Sequence, residues 1–178
     1  MNAPLRSGIR LMSVEDVDGM LSHVERLWSE REEVPSRPFA HGTPLDRGPR
    51  EDRLRTMWPK PITEIGWMRT WGLIVDSAIV GHIDLKGGGF ASDLHRATLG
   101  IGIEAGYRDR GRGREMCEAV IRWAREHQLA WIDLGVFGPN KRAQTLYRKL
   151  GFVEVGMTRD RFRLDGESID DISMTLAL

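Results

Sequence analysis

The chain has a single cysteine, Cys117, so no intrachain disulfide can form and a reducing compartment is expected. No apolar run approaches the roughly 18 residues that a membrane-crossing helix needs. Residues 1–12 lack the apolar centre of a secretion signal, which makes a cytoplasmic location the expectation. Neither sign of charge is in excess: 26 Lys and Arg balance 26 Asp and Glu. That balance argues against a general nucleic-acid or membrane binder, though a local basic patch remains compatible with it. Metal-ligand spacing is also lacking. His23, His41 and His127 are scattered and Cys117 stands alone in a helical segment, so no metal is expected. Cys117 has no histidine–acid constellation around it and reads as a small buried residue. No internal repeat is present. At 178 residues the chain is long enough for one well-buried domain, residues 1–178, and short for two.

Hydrophobic periodicity divides the chain into alternating elements. Ile9–Met12 reads as a short strand, and Ser13 with Asp16 forms a weak capping box before a helix. Val17, Met20, Leu21, Val24, Leu27 and Trp28 repeat at helical spacing, with Pro35 and Pro38 ending the helix. Residues 29–64 are dominated by charge and proline. A short helix from Arg50 to Trp58 is expected there, and the segment is expected to cover a substrate pocket. Trp28, Trp58, Trp67 and Trp71 are candidates to line that pocket or to pack the core. Leu73–Val75 and Ile79–Leu85 form a hairpin about Asp76-Ser77, followed by a flexible Gly87-Gly88-Gly89 loop. A strand over Arg96–Glu104 leads to a helix over Arg112–His127. Its stripe is Met116, Val120, Trp123, Ala124 and His127, widened by Ala119. Trp131–Val136 is the next strand, parallel to its predecessor across the crossover. A helix over Lys141–Leu150 stops at Gly151. Phe152–Val155 and Ile169–Leu176 close the chain as antiparallel strands. This order predicts a mixed α/β sandwich rather than a doubly wound sheet.

The chemistry concentrates in Tyr107-Arg108-Asp109-Arg110-Gly111-Arg112-Gly113-Arg114, between a strand and the long helix. Glycine lets the backbone approach a ligand, and free N–H groups at a helix start carry partial positive charge. A pyrophosphate suits such an entrance, with arginines adding directed donors. A solvated basic turn is the plainer reading. Gly100-Ile101-Gly102-Ile103-Glu104-Ala105-Gly106 superficially matches a dinucleotide fingerprint, but its first glycines lie inside a strand rather than in a turn entering a helix.

Arg108-x-x-Gly111-x-Gly113 resembles the acyl-CoA pyrophosphate signature of the GNAT superfamily of N-acetyltransferases. Asn140-Lys141-Arg142-Ala143-Gln144-Thr145-Leu146-Tyr147-Arg148-Lys149-Leu150-Gly151-Phe152 is similar to that family's late asparagine, alanine, tyrosine and glycine-phenylalanine motif. The likeness is good over residues 74–152, and the whole chain looks most like the ribosomal-protein and spermidine acetyltransferase branch. It implies a GNAT-like fold with a splayed central sheet flanked by helices, Ala97–Glu104 being the fourth strand and Trp131–Val136 the fifth. It implies acetyl-CoA as acyl donor, with pantetheine pairing to backbone near Ile101 and Ile103. The phosphates would meet Arg108, Asp109, Arg110, Gly111, Arg112, Gly113 and Arg114, with Asn140, Ala143 and Tyr147 completing the cofactor site.

Gly100 and Gly102, opposite Ile101 and Ile103, leave space near cofactor or substrate. Tyr147 is implied to protonate the leaving thiolate, or else to pack the helix face. Asn140 binds cofactor or water, caps the helix, or both. Gly135 stands where some ribosomal-protein acetyltransferases carry an acid, so the base is open. Glu104, acting through water, is the first candidate. His82 and Asp84, expected on opposite faces of the preceding strand, and His95 follow, as does a water chain alone. The expected reaction is direct transfer to the amine of a small or amino-acid-like molecule. A ribosomal-protein or other protein N-terminus, a polyamine, a non-catalytic CoA sensor and a nucleic-acid module are the alternatives. The family resemblance also implies a homodimer.

Overall fold

The computed structural model describes residues 7–31, 38–40 and 42–178. His41 and Pro35, both noted in the sequence, fall outside those residues. Eleven principal elements run β1 (Ser7–Leu11), α1 (Val17–Ser29), α2 (Arg47–Met57), β2 (Met68–Val75), β3 (Ala78–Gly87), β4 (Arg96–Ile103), α3 (Arg112–Glu126), β5 (Trp131–Phe137), α4 (Lys141–Lys149), β6 (Val153–Leu164) and β7 (Glu167–Ala177). The strands form one mixed sheet in the order β1-β2-β3-β4-β5-β7-β6. Only β4 and β5 are parallel, as the intervening helix requires.

The entry to α1 is half of the expected box. The Asp16 carboxylate accepts the Ser13 N–H at 2.9 Å, while the Ser13 hydroxyl turns to Glu15 instead of the helix backbone. Asp76 (φ 46°) and Ser77 (φ 70°) both adopt the left-handed region, the conformation that matches a two-residue turn to the twist of β2 and β3. Gly151 (φ 95°) ends α4 as expected.

Helices cover the sheet in two layers, each with its own core. Val17, Met20, Leu21 and Val24 of α1 pack with Leu54 of α2, Trp58, Met68 and Ile79. Met116, Cys117, Val120, Ile121 and Ala124 of α3 pack with Tyr147 of α4 and with Leu73, Ile83, Leu85, Leu99, Ile132 and Leu134. The α3 stripe therefore differs from expectation. Cys117 and Ile121 join it, whereas His127 is exposed and stacks on Trp123 at 3.9 Å. Gly87 is not a loop residue either. It ends β3 flush against Trp67, whose indole nitrogen would lie 2.1 Å from a Cβ there.

Candidate active site

Two strands diverge at the centre of the sheet. β4 pairs with β5 only through Arg96, Ala97 and Thr98. From Leu99 onward the same strand keeps its β3 partners, Leu99 to Leu85 through Ile103 to Gly81, but has none on β5. Backbone near Ile101 and Ile103 thus borders the resulting cleft, while both side chains turn into the α3 core. A linear chain with amide groups fits this edge, because β4 can extend hydrogen bonds to it as to another strand.

The β4–α3 connection opens onto the same end of the sheet. Asp109 (φ 63°) and Gly111 (φ 74°) reverse the chain, and Gly111 has open space around it. The first intrahelical bond is Glu115 N–H to Gly111 O, so the N–H groups of Arg112, Gly113 and Arg114 precede it. Most of the neighbouring arginines are engaged. Arg108 Nε donates to Ile103 O at 2.6 Å and its Nη2 to Glu30 at 3.0 Å. Arg112 binds Glu115 and Ser7, Arg114 binds Glu118, and Asp109 pairs with Arg142; Arg110 is exposed. What this turn can offer an anion is therefore chiefly backbone. A Cβ on Gly113 would make ordinary contact with Leu146 at 3.4 Å, so what this glycine offers a ligand is its free backbone N–H in the first turn of α3.

Tyr147 projects from α4 into this half of the molecule beside Phe152. It is only 5% exposed. Its hydroxyl has no hydrogen-bond partner among the described residues. Yet the one enclosed side-chain polar atom lacking a partner there is Trp67 Nε1, so the Tyr147 oxygen opens to solvent. Burial and nearby Cys117 push its pKa up, keeping the phenol protonated. Asn140 Oδ1 accepts the Ala143 N–H at 3.1 Å, the helix-capping role. Gln144, buried and unanticipated, ties the β5–α4 turn by donating to Phe137 O and Gly138 O. Cys117 is inert, its thiol pushed up to about 12 by burial.

On the opposite face, beneath α1 and α2, a chain of polar side chains crosses the sheet. A bulge at Val80 leaves its carbonyl to accept the Glu104 N–H at 3.0 Å, fixing Glu104 just past β4. The Glu104 carboxylate meets His23 Nδ1 at 2.7 Å and Arg26 at 2.9 Å. His23 Nε2 then meets His82 Nδ1 at 2.9 Å. Glu104, the first candidate base in the sequence, is thus held inward by these contacts. His82 pairs across to Gly102, and a Cβ on that glycine would lie 2.8 Å from the His82 ring and 2.6 Å from Leu27. The space over Gly102 is filled by these side chains, while Gly100 stays open, 4.0 Å from Asp84.

His82 and Asp84 share this face, contrary to expectation, because residues two apart on a strand point the same way. Asp84 accepts from Thr70 at 2.6 Å, and Thr70 accepts from Trp58 Nε1 at 2.8 Å. Burial lowers the His82 pKa and raises that of Asp84. His23, wholly buried, is held down to about 4 by burial and by His82. Arg50 of α2 lies 4.3 Å over the Trp28 ring and 5.9 Å from that of Phe39, with no ion pair among the described residues. Trp28 and Trp58 thus belong to this face; Trp67 and Trp71 are core.

Sequence reasoning passed over His23 and Arg50. The signal for His23 was its place within the buried helical stripe between Met20 and Leu27. His95 is excluded from the site. It is exposed just before β4, about 30 Å along the strand from Glu104. Beside Gly135, where some ribosomal-protein acetyltransferases carry an acid, stands Asp171 of β7, whose carboxylate lies 3.0 Å from where a Cβ would be and whose pKa burial raises. Among the described residues, no group of three metal-ligating side chains converges, and no helix is long and apolar enough to cross a membrane.

Similarity to known proteins agrees with this geometry. Residues 28–152 match the Acetyltransferase (GNAT) family. The chain is 29% identical over 119 residues to the L-amino acid N-acetyltransferase AaaT of Escherichia coli strain K12, covering 64% of this chain and 71% of that protein. A GNAT-family acetyltransferase from Streptococcus pneumoniae has the same fold, with TM-score 0.82 and 22% identity over 97% of this chain and all of that one. So does the yncA acetyltransferase of Salmonella typhimurium, solved with acetyl-CoA, with TM-score 0.78 and 14% identity over 97% and 94% of the two chains. With a family match spanning most of its length and a cleft, cradle and phenol suited to the donor, the chain belongs to the GNAT acetyltransferases and moves an acetyl group from acetyl-CoA to an amine.

Proposed function

We propose that the acceptor is the primary amine of a small, carboxylate-bearing molecule of the amino-acid class. Arg50 carries this reading. It is a cation on the acceptor face, flanked by Trp28 and Phe39, with no anionic partner among the described residues. Burial and neighbouring Arg53 press its pKa down, as expected of a charge awaiting a counter-ion. Its field reaches His82. A planar guanidinium pairs with a carboxylate through two parallel hydrogen bonds, and the aromatic rings hold it flat for that purpose. A polyamine would instead meet an unfavourable cation. The likeness to an L-amino acid N-acetyltransferase supports the same class. A ribosomal-protein N-terminus is the second reading.

On the donor side, we assign the phosphates to the backbone from Asp109 to Arg114 and the pantetheine to β4 near Ile101 and Ile103. Asn140 and Ala143 shape the α4 entrance, and Tyr147 is the acid that protonates the departing sulfur. Bound there, acetyl-CoA supplies an activated thioester; the protein aligns it, excludes water and moves protons. A cytoplasmic homodimer belongs to the same proposal. The exposed Val153, Val155 and Met157 on edge strand β6 are consistent with an interface.

The test is a panel of L-amino acids, their decarboxylated amines, polyamines and peptides with free N-termini. Amino acids should be preferred. Arg50→Met should raise their KM about ten- to a hundredfold, the scale of a lost charged hydrogen-bond pair, with acetyl-CoA Kd unchanged. Equal use of decarboxylated amines, with no effect of Arg50→Met, would sink the assignment.

A further inference from the structure

Hydrogen-bond bookkeeping along the Glu104–His23–His82 line has a single neutral solution. Ionised Glu104 only accepts, so His23 Nδ1 must carry the proton of the 2.7 Å contact. A neutral His23 then has an unprotonated Nε2, which can only accept. The 2.9 Å contact to His82 is therefore donated by His82 Nδ1–H. The lone pair of neutral His82 is left on Nε2. That atom has no hydrogen-bond partner among the described residues and is not sealed from solvent. His82 sits next to the cleft, paired with Gly102 on the diverging part of β4.

We propose that His82 Nε2 takes the proton from the acceptor amine, with His23 and Glu104 as positioning residues that fix its tautomer and stabilise the imidazolium it becomes. The proposal rests on the acetyl-transfer reading and deepens its acceptor side.

Transfer from an ammonium group and a thioester to an amide and a thiol removes two protons from nitrogen. The new C–N bond forms as the C–S bond breaks. One proton ends on the CoA sulfur; the other passes through His82 Nε2 to solvent. No further reactant is needed. His82 is suited to this because burial keeps its ring neutral near pH 7, ready to accept. The charged groups facing it are Asp84 on β3, which favours the imidazolium, and Arg50 on α2, which opposes it. Through His23 it also senses Glu104 just past β4 and Arg26 on α1. The arrangement is a base backed by an orienting group backed by a carboxylate, the logic of activated sites in general. Arg26 also donates to Ile79 O, which anchors the carboxylate end to β3.

Two measurements test this. The first uses the intact protein labelled with 15N histidine at pH 7.5. His23 and His82 should both show protonated Nδ1 and unprotonated Nε2. The opposite tautomer at His82, or an imidazolium there, overturns the proposal whatever the variants do. The second is single-turnover acetylation of the best acceptor amine. His82→Gln should slow the chemical step about 10²- to 10³-fold, with acetyl-CoA affinity within about twofold of native. His23→Gln and Glu104→Gln should each slow it about tenfold and move the acidic limb of the rate–pH profile to lower pH. A residue that merely supports the fold would not move that limb. Native chemical rates in folded His82→Gln, or loss of chemistry in Asp84→Asn alone, would overturn the relay while leaving acetyl transfer intact. Failure of the native protein to acetylate any amine would overturn both.

Discussion

Tyr147 shows how one side chain can be buried and still leave its polar atom open to solvent. Its ring is packed among Cys117 and Phe152 while its hydroxyl is left open and unpartnered among the described residues. Had the oxygen been satisfied by the core, a packing role would account for it. Tyr147→Phe should therefore lower single-turnover acetylation about ten- to a thousandfold, the range of general acid catalysis. Acetyl-CoA affinity and thermal midpoint should change little. An unchanged chemical rate would remove the acid role, and a large drop in stability would assign the hydroxyl to the fold. Gly87 makes the complementary case, a residue with no chemistry and no room. Its missing Cβ is replaced by the Trp67 indole at 2.1 Å, and Trp67 is completely buried. Gly87→Ala should destabilise the protein by about 1–3 kcal/mol, the cost of overpacking a filled core, as read from a shifted urea midpoint with unaltered slope. An unshifted midpoint would mean that the indole moves freely aside.

At the scale of elements, α1 contributes to the polar line on this face of the sheet as much as the strands beneath it. His23 lies within its buried stripe, and its proton affinity is tied to folding. Its native pKa of about 4 lies below the ordinary 6.5, so between those values the unfolded chain binds the proton more readily. Stability is then complete above pH 6.5 and declines as pH falls toward 4, by up to about 3 kcal/mol for this one group. Urea midpoints from pH 7.5 to 4.5 should show the decline, and His23→Gln should flatten it; an unchanged slope would count against His23 as its source. Such coupling was hidden in the sequence, where His23 is one of several scattered histidines and the partner residues stand 59 and 81 positions away. The elements themselves were largely legible. Apolar residues at helical spacing marked α1 and α3, and Asp76-Ser77 marked the β2–β3 turn. β6 was read too short because its later half, Thr158-Arg159-Asp160-Arg161-Phe162-Arg163, has mostly charged residues on both faces of an exposed edge strand. The turn and helix motifs that we assign to the donor side were readable because backbone geometry restricts which residues serve there. On the other side of the sheet His82, Asp84 and Glu104 were legible as candidates but Arg50 was not, since its influence on His82 arises only through the packing of α2 on the sheet.

The whole molecule divides its labour by sheet face. α3 and α4 cover the face whose end carries the β4–α3 turn and Tyr147, whereas α1 and α2 cover the face that carries Arg50, His82 and His23. The two halves meet where β4 and β5 part. Each half should therefore be perturbable alone. Gly111→Val replaces a left-handed glycine (φ 74°) at the cradle with a β-branched residue that resists this conformation. It should weaken acetyl-CoA binding about tenfold or more, measured by calorimetry, and leave the KM for the amine nearly unchanged. Trp28→Leu removes the ring beneath Arg50 and should do the reverse, raising amine KM several-fold while acetyl-CoA Kd holds. Because the two sites share no side-chain partner among the described residues and lie on different helical layers, their effects on kcat/KM should combine independently in the double variant, to within about 0.5 kcal/mol. A larger departure from additivity would show that donor and acceptor halves are energetically coupled across the cleft. In that case the acceptor site would be completed only when acetyl-CoA is bound.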